Sequence, residues 1–184
     1  MQFRRSVKDS PLILVDENNR AIGSESKNAV HRKGMLHRAF SIFLLDRRGR
    51  LLMQRRQADK YHSGSLWSNS CCGHPRWGRK TAAEARRRLG EELGLSAPLT
   101  FGFFARYRAA LDKDVTENEF VYIYFGKSDA VPNPDPEEVS EIKYVSVAEL
   151  ERLRARAPQL LTYWLREYLT VYSNELKRCW RAAR

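Results

Sequence analysis

The chain has 184 residues, 42% of them hydrophobic, three cysteines and a formal net charge of +11. That length and apolar content suit one domain with a real core and exclude wholesale disorder. No apolar run reaches the roughly 18–20 residues that cross a bilayer, and three cysteines, two of them adjacent at Cys71 and Cys72, exclude a disulfide framework.

Met1 to Ser10 is charged and lacks the apolar stretch of a secretory leader, so a cytoplasmic, reduced protein without membrane insertion is expected. Residues 12–15 form a short predicted strand, followed by a turn over 16–20 that carries Asn18-Asn19. Residues 31–37 read as a loop with Gly34 at its middle. The dense apolar run 39–45, the turn Asp46-Arg47-Arg48-Gly49 and the run 51–54 predict a β-hairpin. Residues 61–78 have neither helical nor strand period and mix His62, Trp67, Asn69, Cys72, His74 and glycines. They read as a structured loop, the kind of place where sites gather. A helix is predicted over 81–93, with Thr81 and Glu84 as a capping box and Gly94 as its stop. Strands follow at 101–109 and 119–125, a breaker-rich loop at 132–136, a strand at 142–145 and a short helix at 147–154. Residues 160–180 carry Leu161, Trp164, Leu165, Tyr168, Leu169, Tyr172 and Leu176 at helical spacing and predict one long C-terminal helix. The fold class is α+β: a single domain over residues 1–184, with a mixed sheet as core at about 30–155 and the final helix at about 158–180.

The charge favours a polyanionic partner: nucleic acid, an anionic membrane surface or a phosphorylated small molecule. Basic residues cluster at Arg55–Arg56, at Arg86-Arg87-Arg88 and over 177–184, and the plainer reading of each cluster is a solvated surface. The histidines are His31, His37, His62 and His74. Glu117-Asn118-Glu119 places two carboxylates at i and i+2, which share one face of a strand. Three imidazoles with two carboxylates make a mixed N/O set of five ligands suited to zinc or manganese, unlike a thiolate structural site. Spacing alone leaves scattered surface histidines equally open. Cys72-Gly73-His74 offers a thiol as acid, base or nucleophile, or a small buried hydrophobe. Glu91 and Glu92 late in a helix, with arginines one turn earlier, fit either Mg²⁺ held against a diphosphate or plain i,i+4 ion pairs.

Taken together, Asn69-Ser70-Cys71-Cys72-Gly73-His74-Pro75, Tyr107-Arg108-Ala109 and Glu117-Asn118-Glu119 resemble the signatures of the type I isopentenyl-diphosphate isomerases, with His31 and His37 in the family's places before the first core strand. The resemblance spans roughly residues 15–164. It implies a Nudix-like mixed sheet and an enzyme that interconverts isopentenyl and dimethylallyl diphosphate by protonating and deprotonating the alkene through a carbocation. It assigns a metal to His31, His37, His74, Glu117 and Glu119, and Mg²⁺ to Glu92. Diphosphate contacts fall to Lys27, Arg56, Lys60 and Arg88, proton handling to Cys72, Glu119 and Tyr107, and the hydrocarbon wall to Trp164. The implied cofactors are Mg²⁺ and one further divalent ion, Mn²⁺ or Zn²⁺. The implied partner is a small allylic or homoallylic diphosphate, with no nucleic acid and a monomer or weak oligomer.

One departure bears on the reaction. The helix of Nudix hydrolases reads Arg-Glu-x-x-Glu-Glu-x-Gly, and here Arg88 stands at its first glutamate, Arg79 at the acid before the helix, and only Glu91 and Glu92 remain. A hydrolase gathers carboxylates to bind several Mg²⁺ ions, so basic residues at these positions favour holding a diphosphate intact. The rivals are a nucleotide diphosphate hydrolase, which would release phosphate, and a nucleic-acid-binding module, which would bind any polyanion with a steep salt dependence.

Overall fold

The computed structural model describes residues 10–111 and 114–183; the charged N-terminal segment lies, but for Ser10, outside them. Its organising element is β3 (His37–Leu45), buried at every position but Arg38. Such a continuous apolar strand requires cover on both faces. Along one edge β3 pairs in parallel with β8 (Thr116–Lys127), from His37 opposite Glu119 to Leu45 opposite Lys127. β8 in turn pairs antiparallel with β7 (Leu99–Ala110).

The other edge of β3 changes partner along its length. β1 (Leu12–Val15), itself paired with β2 (Ala21–Glu25), meets it at His37. β4 (Leu51–Arg56) meets it only where Leu45 faces Leu51, beside the turn closed by Gly49. The predicted hairpin is therefore a hairpin at its turn and a fork beyond it. β4 diverges to pair with β9 (Val139–Val145), and the fork is filled by β5 (Trp67–Ser68) on β4 and β6 (Cys71–Gly73) on β3. The buried Ser70 hydroxyl spans it, accepting from Leu44 N at 2.8 Å and donating to Leu52 O at 2.7 Å. Asn69 Nδ2 donates to Ile42 O at 3.0 Å. This polar stitching holds the loop that carries Cys72 and His74.

Strand alternation sends His37, Ala39, Ser41, Phe43 and Leu45 to one face of β3 and Phe40, Ile42 and Leu44 to the other. The second face packs with Leu89 and Leu93 of α2 (Thr81–Leu93). The first packs with Leu150 of α3 (Val147–Arg156), Trp164, Leu165, Tyr168 and Leu169 of α4 (Tyr163–Thr170), and Leu176 and Trp180 of α5 (Ser173–Ala182). Each such side chain contributes about 1.5–3 kcal/mol by burial. The adjacent cysteines divide between the faces: Cys71 joins the α2 side, Cys72 the side of the C-terminal helices.

Several expectations are corrected. The predicted loop 31–37 begins as helix: α1 (Lys27–Lys33) carries His31 in its last turn, capped by the Ser26 hydroxyl and ended by Gly34 at φ 61°. A Cβ on Gly34 would also meet Thr116 Cγ2 at 2.9 Å. β2 was not foreseen, and the structured loop 61–78 contains β5 and β6. Thr81 is the first helical residue of α2, preceded by Lys80, and makes no capping box, because Glu84 turns to Arg76 and Arg87. The long C-terminal helix is two helices. The chain bends at Val171–Tyr172, where the Tyr172 hydroxyl accepts from Arg106 N at 2.8 Å and donates to Arg106 O at 2.9 Å, and its ring stacks on Phe103.

Candidate active site

Glu117 and Glu119 point from β8 to the face shared with His37, while Asn118 points away and its Nδ2 donates to Gly34 O at 3.0 Å. That bond docks the end of α1 and brings His31 over the carboxylates. The short strand β6 ends at Gly73 and delivers His74 from the other side of β3. His31 and His37 Nε2 lie 3.6 and 3.7 Å from Glu117 oxygens, and His37 and His74 Nε2 lie 3.6 and 2.9 Å from Glu119 Oε1. One donor atom each from His31, His37, His74 and Glu117 falls within 4.8 Å of the others. Glu119, bonded to His74, borders this group.

These residues fit a divalent ion. Both ring nitrogens of His31, Nε2 of His37 and Oε2 of Glu117 are buried without a hydrogen-bond partner, which an ion among them would satisfy. Burial, and then the neighbouring imidazoles, push His31 down to about 2, which leaves the neutral imidazole a ligand must be. His37 Nδ1 lies 2.9 Å from Met35 O, so Nδ1 carries the hydrogen and Nε2 faces the cluster with its lone pair. Burial opposes the charge of Glu119, but the facing His37 imidazole and the hydrogen bond from His74 outweigh it and hold its carboxyl well below the usual range. Tyr107 OH donates to Glu119 Oε2 at 2.8 Å, and burial followed by the two carboxylates raises that phenol well above 10.

Cys72 lies across β3 from this cluster. It faces Ser41 on β6, and Glu119 faces His37 on β8, so the two project from strands on opposite edges of β3 toward the same face. The Cys72 sulfur lies 3.3 Å from Ser41 Oγ and 3.3 Å from Asn69 Oδ1, and Ser41 Oγ lies 3.1 Å from Tyr168 OH. Burial pushes the thiol up to about 11. Trp164 Nε1 donates to Ser68 Oγ at 3.0 Å, which presents the indole beside Cys72.

Cys72, His74, Tyr107, Glu117, Glu119 and Trp164 line one cleft of about 1230 Å³. The same cleft is lined by Lys27, Arg56, Lys60, Arg88 and Glu92, so every predicted diphosphate and magnesium residue opens onto it. Arg56 lies over Trp164 at 5.3 Å and Lys27 over Tyr61 at 5.3 Å. Burial lowers Lys27 from its ordinary value. Arg88 pairs with Glu92 and Arg87 with Glu91, both at i,i+4, so the ion-pair reading of this helix is met, with Glu92 still facing the cleft. Gln54 Nε2 fixes Glu92 from behind at 2.9 Å.

Two functional candidates escaped the sequence reading. His62, from the loop before β5, lies 2.8 Å from Glu117 Oε1 by its Nε2. Glu138, buried before β9, pairs with Lys60 and lies 3.6 Å from Arg88. Neither has a spacing signal: His62 was visible only as one histidine of four, and Glu138 follows a breaker-rich loop. The lone Cys179 is half-buried on α5 against the core, as a small hydrophobe.

No helix among the described residues is long and apolar enough to cross a membrane. The family model of the NUDIX domain matches residues 35–167. The chain is 48% identical over 179 residues to the isopentenyl-diphosphate Delta-isomerase of Serratia proteamaculans, covering 95% of this chain and 98% of that one. It is 48% identical over 150 residues to the protein of the same name from Streptomyces griseus, covering 80% and 76%. Among solved structures, DR0079 from Deinococcus radiodurans superposes with a TM-score of 0.67 at 21% identity, over 95% of this chain and 99% of that one. The MutT protein of Methanosarcina mazei Go1 does so with a TM-score of 0.61 at 17% identity, over 77% and 96%.

Proposed function

The chain belongs to the NUDIX-fold isopentenyl-diphosphate Delta-isomerases, and we propose that its cleft moves the double bond by a proton gained on one carbon and a proton lost from another. Isopentenyl diphosphate takes a proton on its terminal methylene, which leaves a tertiary cation. Loss of a proton from the carbon next to the cation, on the diphosphate side, gives dimethylallyl diphosphate. One proton enters and one leaves, so nothing is oxidised overall. The observation that carries this reading is the placing of Cys72 on β6 and of Glu119, bonded by Tyr107 of β7, on β8, the two strands flanking β3 from opposite edges, with all three residues open to one cleft. One of the two gives the proton and the other takes it, and the reverse reaction exchanges their roles.

The rest of the cleft binds and shields. Lys27, Arg56, Lys60 and Arg88 hold the diphosphate, with Glu92 offering a carboxylate to a Mg²⁺ bound with it. Fixing the diphosphate orients the hydrocarbon, which has no polar handle of its own. Trp164 lies against that hydrocarbon, and an indole face stabilises a desolvated cation by about 2 kcal/mol. His31, His37, His74, Glu117 and Glu119 would hold a Mn²⁺ or Zn²⁺, which would polarise the carboxylate that handles the proton. Ser10, Pro11, Leu12 and Lys27 line the same cleft and stand where a cover excluding water would close. We place the reaction in the cytoplasm, in a monomer or weak oligomer.

The test is incubation of the protein with isopentenyl diphosphate and Mg²⁺ in D₂O. Dimethylallyl diphosphate carrying deuterium is expected. Release of phosphate without isomerisation would overturn the reading. The arginines at positions 79 and 88 argue against that outcome, since they replace carboxylates that a hydrolase uses to gather metal ions.

A further inference from the structure

His62 is buried and lines the cleft, and the proposed reaction gives it no role. Its Nε2 lies 2.8 Å from Glu117 Oε1. A carboxylate only accepts, so this nitrogen carries the hydrogen, and Nδ1, 3.3 Å from Ser63 Oγ, accepts from that hydroxyl. Glu117 Oε1 is thereby engaged, which leaves Oε2, buried and without a hydrogen-bond partner, aimed at the histidine cluster. The same residue touches two other parts of the cleft. Its carbonyl accepts from Arg56 Nη2 at 3.2 Å, and its ring meets Trp164 edge-on, with centroids 5.9 Å apart.

The loop is built to hold that position. Ser63 and Ser65 adopt φ of 54° and 62°, and a Cβ on Gly64 would meet Ala58 O at 2.2 Å, which no side chain tolerates. Ser65 N closes the loop on Arg56 O at 3.1 Å.

We infer that His62 is a positioning residue for the metal: it donates to Glu117 and fixes which oxygen of that carboxylate faces the ion. This rests on the metal reading of the His31, His37, His74, Glu117 and Glu119 group. Removing a hydrogen-bond partner of a ligating carboxylate typically weakens metal affinity about 10–100-fold. The test titrates metal-free protein with Mn²⁺, following the free ion by electron paramagnetic resonance, in the wild type, His62→Phe and His62→Gln. Phenylalanine keeps a ring against Trp164 but has no donor, whereas glutamine restores an N–H without the ring. Weakened Mn²⁺ binding in His62→Phe, largely recovered in His62→Gln, with equal melting temperatures of the metal-free proteins, is the expected result. Should the phenylalanine variant not fold, His62→Ala supplies the donorless comparison. Wild-type affinity in the donorless variant would overturn the inference alone, as would equal losses in phenylalanine and glutamine variants. A wild type that binds no Mn²⁺ would overturn it together with the metal reading.

Discussion

Ser70→Ala tests whether the fork between β3 and β4 is what holds the loop that carries Cys72 and His74. The Ser70 hydroxyl is completely buried, accepts from Leu44 N and donates to Leu52 O. Alanine fits the space but leaves one N–H and one C=O without a partner on the two strands. Each such group costs about 1–3 kcal/mol when water cannot reach it, so a loss of roughly 2–6 kcal/mol is expected. For a chain of this length 1 kcal/mol moves the melting temperature by about 2–4 °C, which puts the expected drop near 10 °C. Scanning calorimetry measures it, and urea titration gives the free energy independently. Activity should fall as well, because Ser70 precedes Cys71-Cys72-Gly73-His74 and its carbonyl also takes Gln54 Nε2 at 2.7 Å. A drop of less than about 2 °C would show that the strands close without the serine, and the argument for the fork would fail.

Cys72→Ala should abolish isomerisation and deuterium incorporation, whereas Cys71→Ala, whose sulfur faces the α2 side of the sheet, should keep turnover and lose stability on the order of 1 kcal/mol; equal activity losses would discredit the choice of thiol. Glu84 gives a pH test remote from the site. Burial works against its charge, but Arg76, bonded to both carboxylate oxygens at 2.8 Å, and Arg87 outweigh it and hold it at about 2. Its folded value lies below the unfolded one, so its contribution is complete above pH 4.5 and disappears as pH falls toward 2. At 1.36 kcal/mol per pKa unit that contribution reaches up to about 3 kcal/mol. Urea titrations at pH 6 and pH 3 should therefore differ less in Glu84→Gln than in the wild type, and an unchanged difference would remove Glu84 from the account.

What the sequence made legible follows from how local each signal is. Glu117 and Glu119 are readable because a strand returns every second residue to the same face, and β8 is that strand. The α2 stop at Gly94 is readable because the left-handed φ of 64° there favours glycine. α1 was hidden because seven residues hardly form a helix alone; the Ser26 cap and the Asn118 bond to Gly34 stabilise it. The capping box failed because two arginines offered Glu84 charge-assisted bonds stronger than one backbone N–H. The bend at Tyr172 left no trace, since α4 and α5 present apolar stripes to one core and Tyr172 is turned by Arg106, 66 residues away. His62 reaches Glu117 only through tertiary folding, and no period connects residues so far apart.

The separation of charge from chemistry explains how a fold shared with MutT proteins serves an isomerisation. In α2 the remaining acids are already answered by cations: Glu91 by Arg87, and Glu92 by Arg88. The helix therefore has little surplus negative charge with which to gather several Mg²⁺ ions, and its end of the cleft suits a diphosphate that is held rather than split. The groups proposed to move protons sit elsewhere, on β6 and β8: Cys72, whose thiol burial raises, and Glu119, beside His37 and bonded to His74. Exchanging Arg88 for glutamate would not by itself restore a hydrolase. Position 79 would still be arginine, and in the proposed binding mode the carbon chain would still lie between a thiol and a carboxylate that neither polarise phosphorus nor activate water beside it. On the proposed reading the reaction is decided by which end of the substrate meets the ionisable groups, and the strands flanking β3 put them at the hydrocarbon.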